Sequence, residues 1–172
     1  HKKNNNKIEQ KIKIVTHHWS TNIKKGYDYY EYLGNKIKSN YLKNVEFTFI
    51  GRFNNLYKSD GINLIDPMDE LQLSLELPKH NIYLTASLAE AGANHVLEAM
   101  AAGLPVLYHN EGGSIPEYVG KRGIGYNGVG DLEEKINQLI ASYKELRKHV
   151  LDYEENISQT IEEYCDLIWK IS

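Results

Sequence analysis

The sequence predicts an α/β domain: a Rossmann-like parallel sheet flanked by helices on both faces, with two more helices at the C-terminal end. Three observations carry this. Short β-rich runs alternate with helical-period segments about six times between residues 11 and 126, the pattern of βαβ units rather than hairpins. Residues 131–172 then hold two apolar stripes at helical spacing, with neither Gly nor Pro. The bulk composition, 41% hydrophobic and 25% charged over 172 residues, supplies one ordinary core.

The elements follow in order. Residues 1–10 are polar and basic and read as a disordered arm or an interdomain linker, leaving 11–172 as the folded domain. Residues 11–15 (KIKIV) end in an apolar run and form the first strand. Tyr29, Tyr30, Leu33 and Ile37 share a face of a helix over 26–39. EFTFIG at 46–51 and GINLIDP at 61–67 are strands, the second stopped by Pro67. Asp69 caps a helix over 70–77, and Pro78 follows it. NIYLTAS at 81–87 is a strand, 94–102 a helix, LPVLY at 104–108 a strand, 114–119 a short helix and 123–126 a last strand. Leu132, Ile136, Leu139, Ile140, Tyr143 and Leu146 mark the first tail helix; Ile157, Ile161, Tyr164, Ile168 and Ile171 mark the second. Crossovers between parallel strands are right-handed, and ligands in such sheets lie beyond the carboxyl ends of the strands. The loops that leave a strand and enter a helix are therefore the ones to read for function.

Bulk properties remove several classes. The net charge of −3 gives no global attraction to nucleic acid. The single cysteine, Cys165, precludes an intramolecular disulfide and reads as a buried thiol in the last helix, in keeping with a reducing cytoplasm. No apolar run approaches the roughly 18 residues of a membrane span, and no signal peptide follows the HKKNNNK start. With His1 rather than Met in first place, the chain is expected to be a piece of a longer one. The 13 tyrosines against 3 phenylalanines read as compositional drift.

The chemistry concentrates in AEAGANHVLEAMAAGLPVLY, residues 89–108. Ala91, Gly92 and Ala93 make a loop without bulk between a strand and a helix, so a ligand can approach its backbone closely. Asn94 suits the helix N-cap. The free amides of the first turn, with the helix dipole behind them, suit a phosphate or diphosphate. Glu98 lies about one turn in and can accept two hydrogen bonds from a vicinal diol such as a ribose. Glu90, on the loop, can accept from a second sugar across the phosphates. Taken by spacing alone, both could equally be solvated surface acids.

The run TASLAEAGANHVLEAMAAGLPVLYHNEGGSIPEYV resembles the retaining "group 1" glycosyltransferases, whose two-domain fold is called GT-B. That family pairs two glutamates across seven residues, here Glu90 and Glu98, with a Gly-rich loop after the first, here 91–93. Leu97 to Met100, Gly103 to Val106, Gly112-Gly113 and Pro116-Glu117 fall in the family's order and register. The resemblance implies that the chain is the C-terminal, donor-binding half of such an enzyme, with the N-terminal acceptor domain absent. It implies Glu98 on the nucleotide ribose, Glu90 on the donor sugar, and the amides of Gly92, Ala93, Asn94 and His95 on the diphosphate or sugar. Gly113 would line a second amide-rich helix entry beside the donor. The family's Arg and Lys that clamp the diphosphate fall on HHWSTNIKKGYD. Lys25-Gly26 matches there, but Ser20 stands in the Arg position, so Lys24 or Arg52 would supply the second cation. The loop also departs, Glu90-Ala91-Gly92-Ala93 standing where Glu-Gly-Phe-Gly is usual.

Lesser candidates carry plainer readings. His95 either donates to the ligand or packs. His17-His18 follow the first strand, but neighbouring strand residues face opposite ways and no acid or Cys cluster completes a site, so no metal is expected. Ser114-x-x-Glu117 reads as a capping box with Pro116 in the first turn. His109 could reach the crevice.

The expected activity is transfer of a sugar from a nucleoside-diphosphate sugar to an acceptor hydroxyl with retention, Lys25 and Glu90 positioning donor and leaving group, and no cofactor. Expected partners are the nucleotide sugar, a saccharide or lipid-linked acceptor and the chain's own N-terminal domain. The expected location is the cytoplasm, including the periphery of the inner membrane face, in polysaccharide or glycolipid synthesis; this piece alone should be inactive. A sugar-nucleotide epimerase of the same fold and a non-catalytic nucleotide-binding scaffold stand as alternatives. A dinucleotide oxidoreductase does not, since no G-x-G-x-x-G follows the first strand.

Overall fold

The computed structural model describes residues 11–152. Strands β1 (Ile12–His18), β2 (Val45–Gly51), β3 (Asn63–Ile65), β4 (Ile82–Thr85), β5 (Val106–His109) and β6 (Gly123–Tyr126) form one sheet in the order β3-β2-β1-β4-β5-β6. Every neighbouring pair is parallel. The helices are α1 (Tyr27–Lys38), α2 (Glu70–Glu76), α3 (Asn94–Ala101), α4 (Ile115–Val119), α5 (Val129–Ala141) and α6 (Tyr143–Leu151). This is the α/β, Rossmann-like architecture read from the sequence.

Period-two alternation sorts the core into two layers. Ile14, Phe47, Ile82 and Leu107 turn to one face, where Tyr27, Tyr30 and Leu33 of α1 and Leu132, Ile136 and Leu139 of α5 cover them. Val15, Tyr83 and Val106 turn to the other, against Leu73 of α2, Val96, Ala99 and Met100 of α3, and Ile115 and Val119 of α4. Burying each such side chain contributes about 1.5–3 kcal/mol.

Tyrosine has a role here that the composition did not reveal. Tyr27, Tyr30, Tyr83 and Tyr126 are fully buried, and each phenol finds a partner near the carboxyl ends of the strands. Tyr27 donates to the carbonyls of Ser20 and Arg52, both at 2.8 Å. Tyr126 donates to Thr85 O at 3.2 Å. The Tyr30 hydroxyl accepts the Ala86 N–H at 3.1 Å and meets His18 Nε2 at 2.7 Å. Phenylalanine would fill the same space but leave these backbone groups unpaired. Burial pushes the Tyr27 phenol up to about 12.

Several expectations change in detail. β1 runs on through His18, because all seven of its residues pair with β2. The single stripe over 132–146 is two helices: at Ser142 the chain leaves helical geometry (φ −96, ψ 9), and its N–H turns back to Gln138 and Ile140. Serine competes locally for backbone hydrogen bonds, which is why it favours such ends. The expected caps at Asn94 and Ser114 are absent. Ala93 occupies the cap position of α3, without a side-chain bond. Ser114 sits in helical geometry (φ −73, ψ −10), from which its hydroxyl cannot reach back; its Oγ is buried without a partner and no capping box with Glu117 forms. The arm at 1–10, the stripe at 157–171 and Cys165 lie outside the described residues. Among the described residues no helix is long and apolar enough to cross a membrane.

The Asp69 cap does form, as a full box. Asp69 accepts from Gln72 N at 2.8 Å, and Gln72 Oε1 accepts from Asp69 N at 3.1 Å. Asp69→Ala should lower the unfolding free energy by about 1 kcal/mol, read as a lower urea midpoint at unchanged slope.

Candidate functional site

The loops leaving β1 and β4 meet at the carboxyl edge of the sheet. After β1, a single 3-10 turn at Ile23–Lys25 starts on Asn22, whose side chain accepts from Lys24 N at 2.9 Å, and closes on Gly26 in the left-handed region (φ 73). Any Cβ at Gly26 would run into the carbonyl and Cβ of Ala86, so only glycine permits the two loops to touch. Leu88 N donates to Lys24 O at 2.8 Å and completes the junction. It delivers the Lys25 ammonium onto Glu90 Oε1 as an ion pair, with side chains only 20% and 17% exposed.

Glu90 is held from behind. It bridges to Gly113 in parallel fashion, Ser114 N donates to its carbonyl at 2.9 Å, and Ala89 N donates to Glu111 O at 3.0 Å. Gly113 (φ 70) lies so close to the Glu90 backbone that a Cβ would overlap it. Ala89 takes a positive φ of 55, which costs a non-glycine residue roughly 1–2 kcal/mol. The Gly-Gly pair therefore works as a bracket behind Glu90.

α3 starts bare. Val96 and Leu97 both donate to Ala93 O, and no side chain caps the helix, so the amides of Asn94 and His95 are first-turn donors with no carbonyl in the helix to reach. A Cβ added to Gly92 would meet no protein atom within 4 Å. The approach to these amides is open, in a position the helix dipole makes favourable for an anion.

These parts surround a cavity of about 280 Å³ lined by His17, His18, Trp19, Ser20, Lys25, Glu90, Gly92, Asn94, His95 and Glu98. Seven of the residues singled out in the sequence are thus brought together: Ser20, Lys25, Glu90, Gly92, Asn94, His95 and Glu98. Three are not. Arg52 is exposed and engages through its backbone, its N–H to His18 O at 3.0 Å and its carbonyl to Tyr27. Ala93 is fully buried in the layer beneath, and Gly113 stands behind Glu90. Lys25 is the only lysine or arginine on the wall among the described residues.

Three histidines form the floor. His17 and His18 do turn to opposite faces, yet both rings reach His95, at 6.3 and 5.2 Å between centroids. His18 is buried against Tyr30 and Phe49; burial first, then the charges of His95, Lys25 and His17, hold it well below the usual imidazole range. His95 bonds Thr85 Oγ1 at 3.1 Å; burial, followed by His17 and Lys25, lowers it to about 3. His17 Nε2 lies 2.7 Å from Glu98 Oε2. His109 is taken up by Tyr29, at 3.0 Å, and by Glu111 N, at 3.1 Å. No group of three or more His, Cys, Asp or Glu able to hold a metal ion occurs among the described residues.

A second, larger cavity of about 710 Å³ opens beside the first, between α2 and α3, walled by Met68, Leu73, Leu77 and Ala102 among others. Trp19 and Glu98 belong to both cavities. The candidate site residues sit in the smaller one; the larger adds Glu70 and Ser74 to its apolar side chains. Trp19 and the His17–Glu98 bond were missed in the sequence. The available signal for Trp19 was a large aromatic directly after a strand, in a loop already marked as ligand-facing.

The family model described as glycosyl transferases group 1 matches residues 2–160. No curated protein matches. Among solved structures, the chain is similar to WaaG, a glycosyltransferase involved in lipopolysaccharide biosynthesis, at 16% identity and a TM-score of 0.61 over 87% of this chain and 44% of that one. It is similar to the pneumococcal O-GlcNAc transferase GtfA, solved in complex with UDP and GlcNAc, at 18% and 0.63 over 83% and 32%. It is also similar to the C-terminal domain of LpcC, a glycosyl transferase group 1 family protein from Francisella tularensis, at 16% and 0.62 over 83% and 82%. At these identities the likeness shows the fold. The chain spans less than half of WaaG and about a third of GtfA.

The buried histidines make stability pH-dependent. His18 and His95 stay neutral in the folded chain but protonate near 6.5 when unfolded, so below that pH the unfolded state binds more protons. Their contribution is whole above 6.5 and is lost as pH falls from there toward about 3, where His95 charges in place. Each such histidine removes up to about 1.4 kcal/mol per pH unit. The urea midpoint should drop between pH 7 and pH 5, and His95→Gln should make that drop shallower.

Proposed function

Given that the chain belongs to the glycosyl transferases group 1 family, we propose that it is the donor-binding domain of an enzyme moving a sugar from a nucleoside-diphosphate sugar to an acceptor hydroxyl, with retention at the anomeric carbon. One observation carries this reading: Lys25, Glu90, Glu98 and the uncapped start of α3 converge on one cavity at the carboxyl edge of the sheet. The diphosphate lies over the amides of Asn94 and His95, with Lys25 against it. Glu98 accepts from the ribose diol and Glu90 from donor-sugar hydroxyls, while the base enters the larger cavity beside Trp19 and Met68.

The leaving diphosphate gathers charge as the glycosidic bond breaks, so donors already aimed at it do most for the rate. Lys25 and the helix amides supply them without a cofactor. One lysine stands against two carboxylates on the wall, Ser20 brings no charge, and Arg52 is not on the wall. The remaining positive charge comes from the facing N-terminal domain, which also holds the saccharide or lipid-linked acceptor. Residues 1–172 alone therefore bind nucleotide weakly and do not turn over. The enzyme works in the cytoplasm or at the inner face of the membrane, in polysaccharide or glycolipid synthesis.

Calorimetric titration with UDP and GDP tests the reading: one of them binds, and Glu98→Ala costs about 1.5–3 kcal/mol of that affinity. Binding of neither at millimolar concentration would overturn it. Glu90→Gln should act in two directions. It frees Lys25 from a competing anion, so the bare nucleoside diphosphate binds at least as tightly as before, while the corresponding nucleotide sugar loses affinity. A parallel change in both titrations would remove Glu90 from the sugar.

A further inference from the structure

We infer that His17 is a positioning residue for Glu98, fixing the carboxylate in the one orientation that accepts both hydroxyls of a ribose. This rests on the donor-site reading above and adds a residue that neither the family resemblance nor the spacing of the two glutamates assigned.

The side chain of His17 is 1% exposed, that of Glu98 50%. His17 stands on the face of β1 where its neighbour two residues back, Val15, packs into the apolar layer under α3. A histidine here is not needed for packing, and it leaves Nδ1 buried without a partner, which a branched apolar side chain would avoid. What the imidazole does contribute is a donor 2.7 Å from Glu98 Oε2. A carboxylate only accepts, so Nε2 must carry a hydrogen. The ring cannot swing away: Tyr83 lies against it at 5.4 Å in an edge-on arrangement, with Trp19 at 5.9 Å and His95 at 6.3 Å.

The consequence falls on Glu98. A half-exposed glutamate on a helix samples several rotamers and would lose that freedom on gripping a ligand. Bonded to a locked imidazole, it is ordered beforehand. One lone pair of Oε2 goes to His17, leaving Oε1 and the second lone pair of Oε2 for two hydroxyls on adjacent carbons. The gain therefore appears only with a ligand that carries the diol.

The test compares a nucleoside diphosphate, whichever of UDP and GDP binds, with its 2′,3′-dideoxy counterpart, titrated into the protein and into His17→Gln and His17→Met. Gln offers an amide N–H in place of Nε2–H; Met has the same length and no donor. The unaltered protein and His17→Gln should prefer the ribonucleotide, whereas His17→Met should lose roughly three- to tenfold of that preference with dideoxy affinity unchanged. Equal preference in all three proteins overturns the role of His17 and leaves the ribose contact standing. No preference in the unaltered protein overturns the ribose contact itself. Should His17→Met fail to fold, imidazole nitrogen NMR of the unaltered protein decides. A protonated Nε2 whose signal moves on adding the ribonucleotide, and not the dideoxy form, upholds the assignment; an Nδ1–H tautomer overturns it.

Discussion

Parallel pairing of β1 with β4, in the register Ile14 to Ile82 and Val15 to Tyr83, brings two distant stretches of chain out of the sheet side by side. Each must then turn into a helix on its own face, α1 on one side and α3 on the other. The two loops meet where Gly26 lies against Ala86 and Leu88 N donates to Lys24 O. Lys25 and Glu90, 65 positions apart, become an ion pair as a result. His17, still inside β1, comes under Glu98 by the same geometry. The acids, the lysine and the bare helix start share one cavity because the sheet has this order.

Local costs collect at the same rim. Ala89 holds a backbone conformation that suits glycine, Ser114 Oγ and His17 Nδ1 are buried without partners, and α3 begins without a cap. Other helix starts vary: α2 has a complete capping box and Asp131 accepts from the amides of Asn127 and Gly128 at the start of α5, whereas α1 and α6 also begin without a side-chain cap. Unmet polar groups persist where the surrounding packing over-determines them, and such places are commonly where a ligand completes the set. The Lys25–Glu90 pair belongs to the same picture. Two mostly buried charges neutralise each other now, and either can be released toward an incoming charge or hydroxyl.

Much of this was legible beforehand, for identifiable reasons. Alternating short apolar runs and helical spacings depend on local chemistry, so the strands and their order in the chain were readable. Glu90, the Ala91–Ala93 loop and Glu98 were readable as a unit because they lie within one strand-to-helix connection. What escaped was non-local. Nothing near Arg52 says that its backbone would bind His18 and Tyr27 while the residue stays off the cavity wall. The cap residues failed too: Asn94 and Ser114 are good cap formers locally, but Ala93 takes the cap position of α3 and Ser114 already has helical angles. Tyrosine looked like drift because its phenols pair with backbone groups that no sequence window contains. The break at Ser142 is a smaller case, a stripe that keeps its apolar period while the helix carrying it stops.

The two cavities are unlike each other, and this constrains any occupant that fills both. Charged and imidazole side chains crowd the smaller, while the larger adds Met68, Leu73, Leu77 and Ala102 beside Glu70 and Ser74, and they join at Trp19 and Glu98. On the donor-site reading, an occupant presents its anionic part over the start of α3 and its flat part between α2 and α3. Hydroxyls must lie at the junction, where the only carboxylate common to both walls stands. A simple sugar phosphate lacks the apolar part, and a lipid lacks the hydroxyls at the right place. A nucleotide has all three in that order along its length, with a ribose between base and phosphates. The nucleotide proposed above as the donor's carrier meets these three conditions.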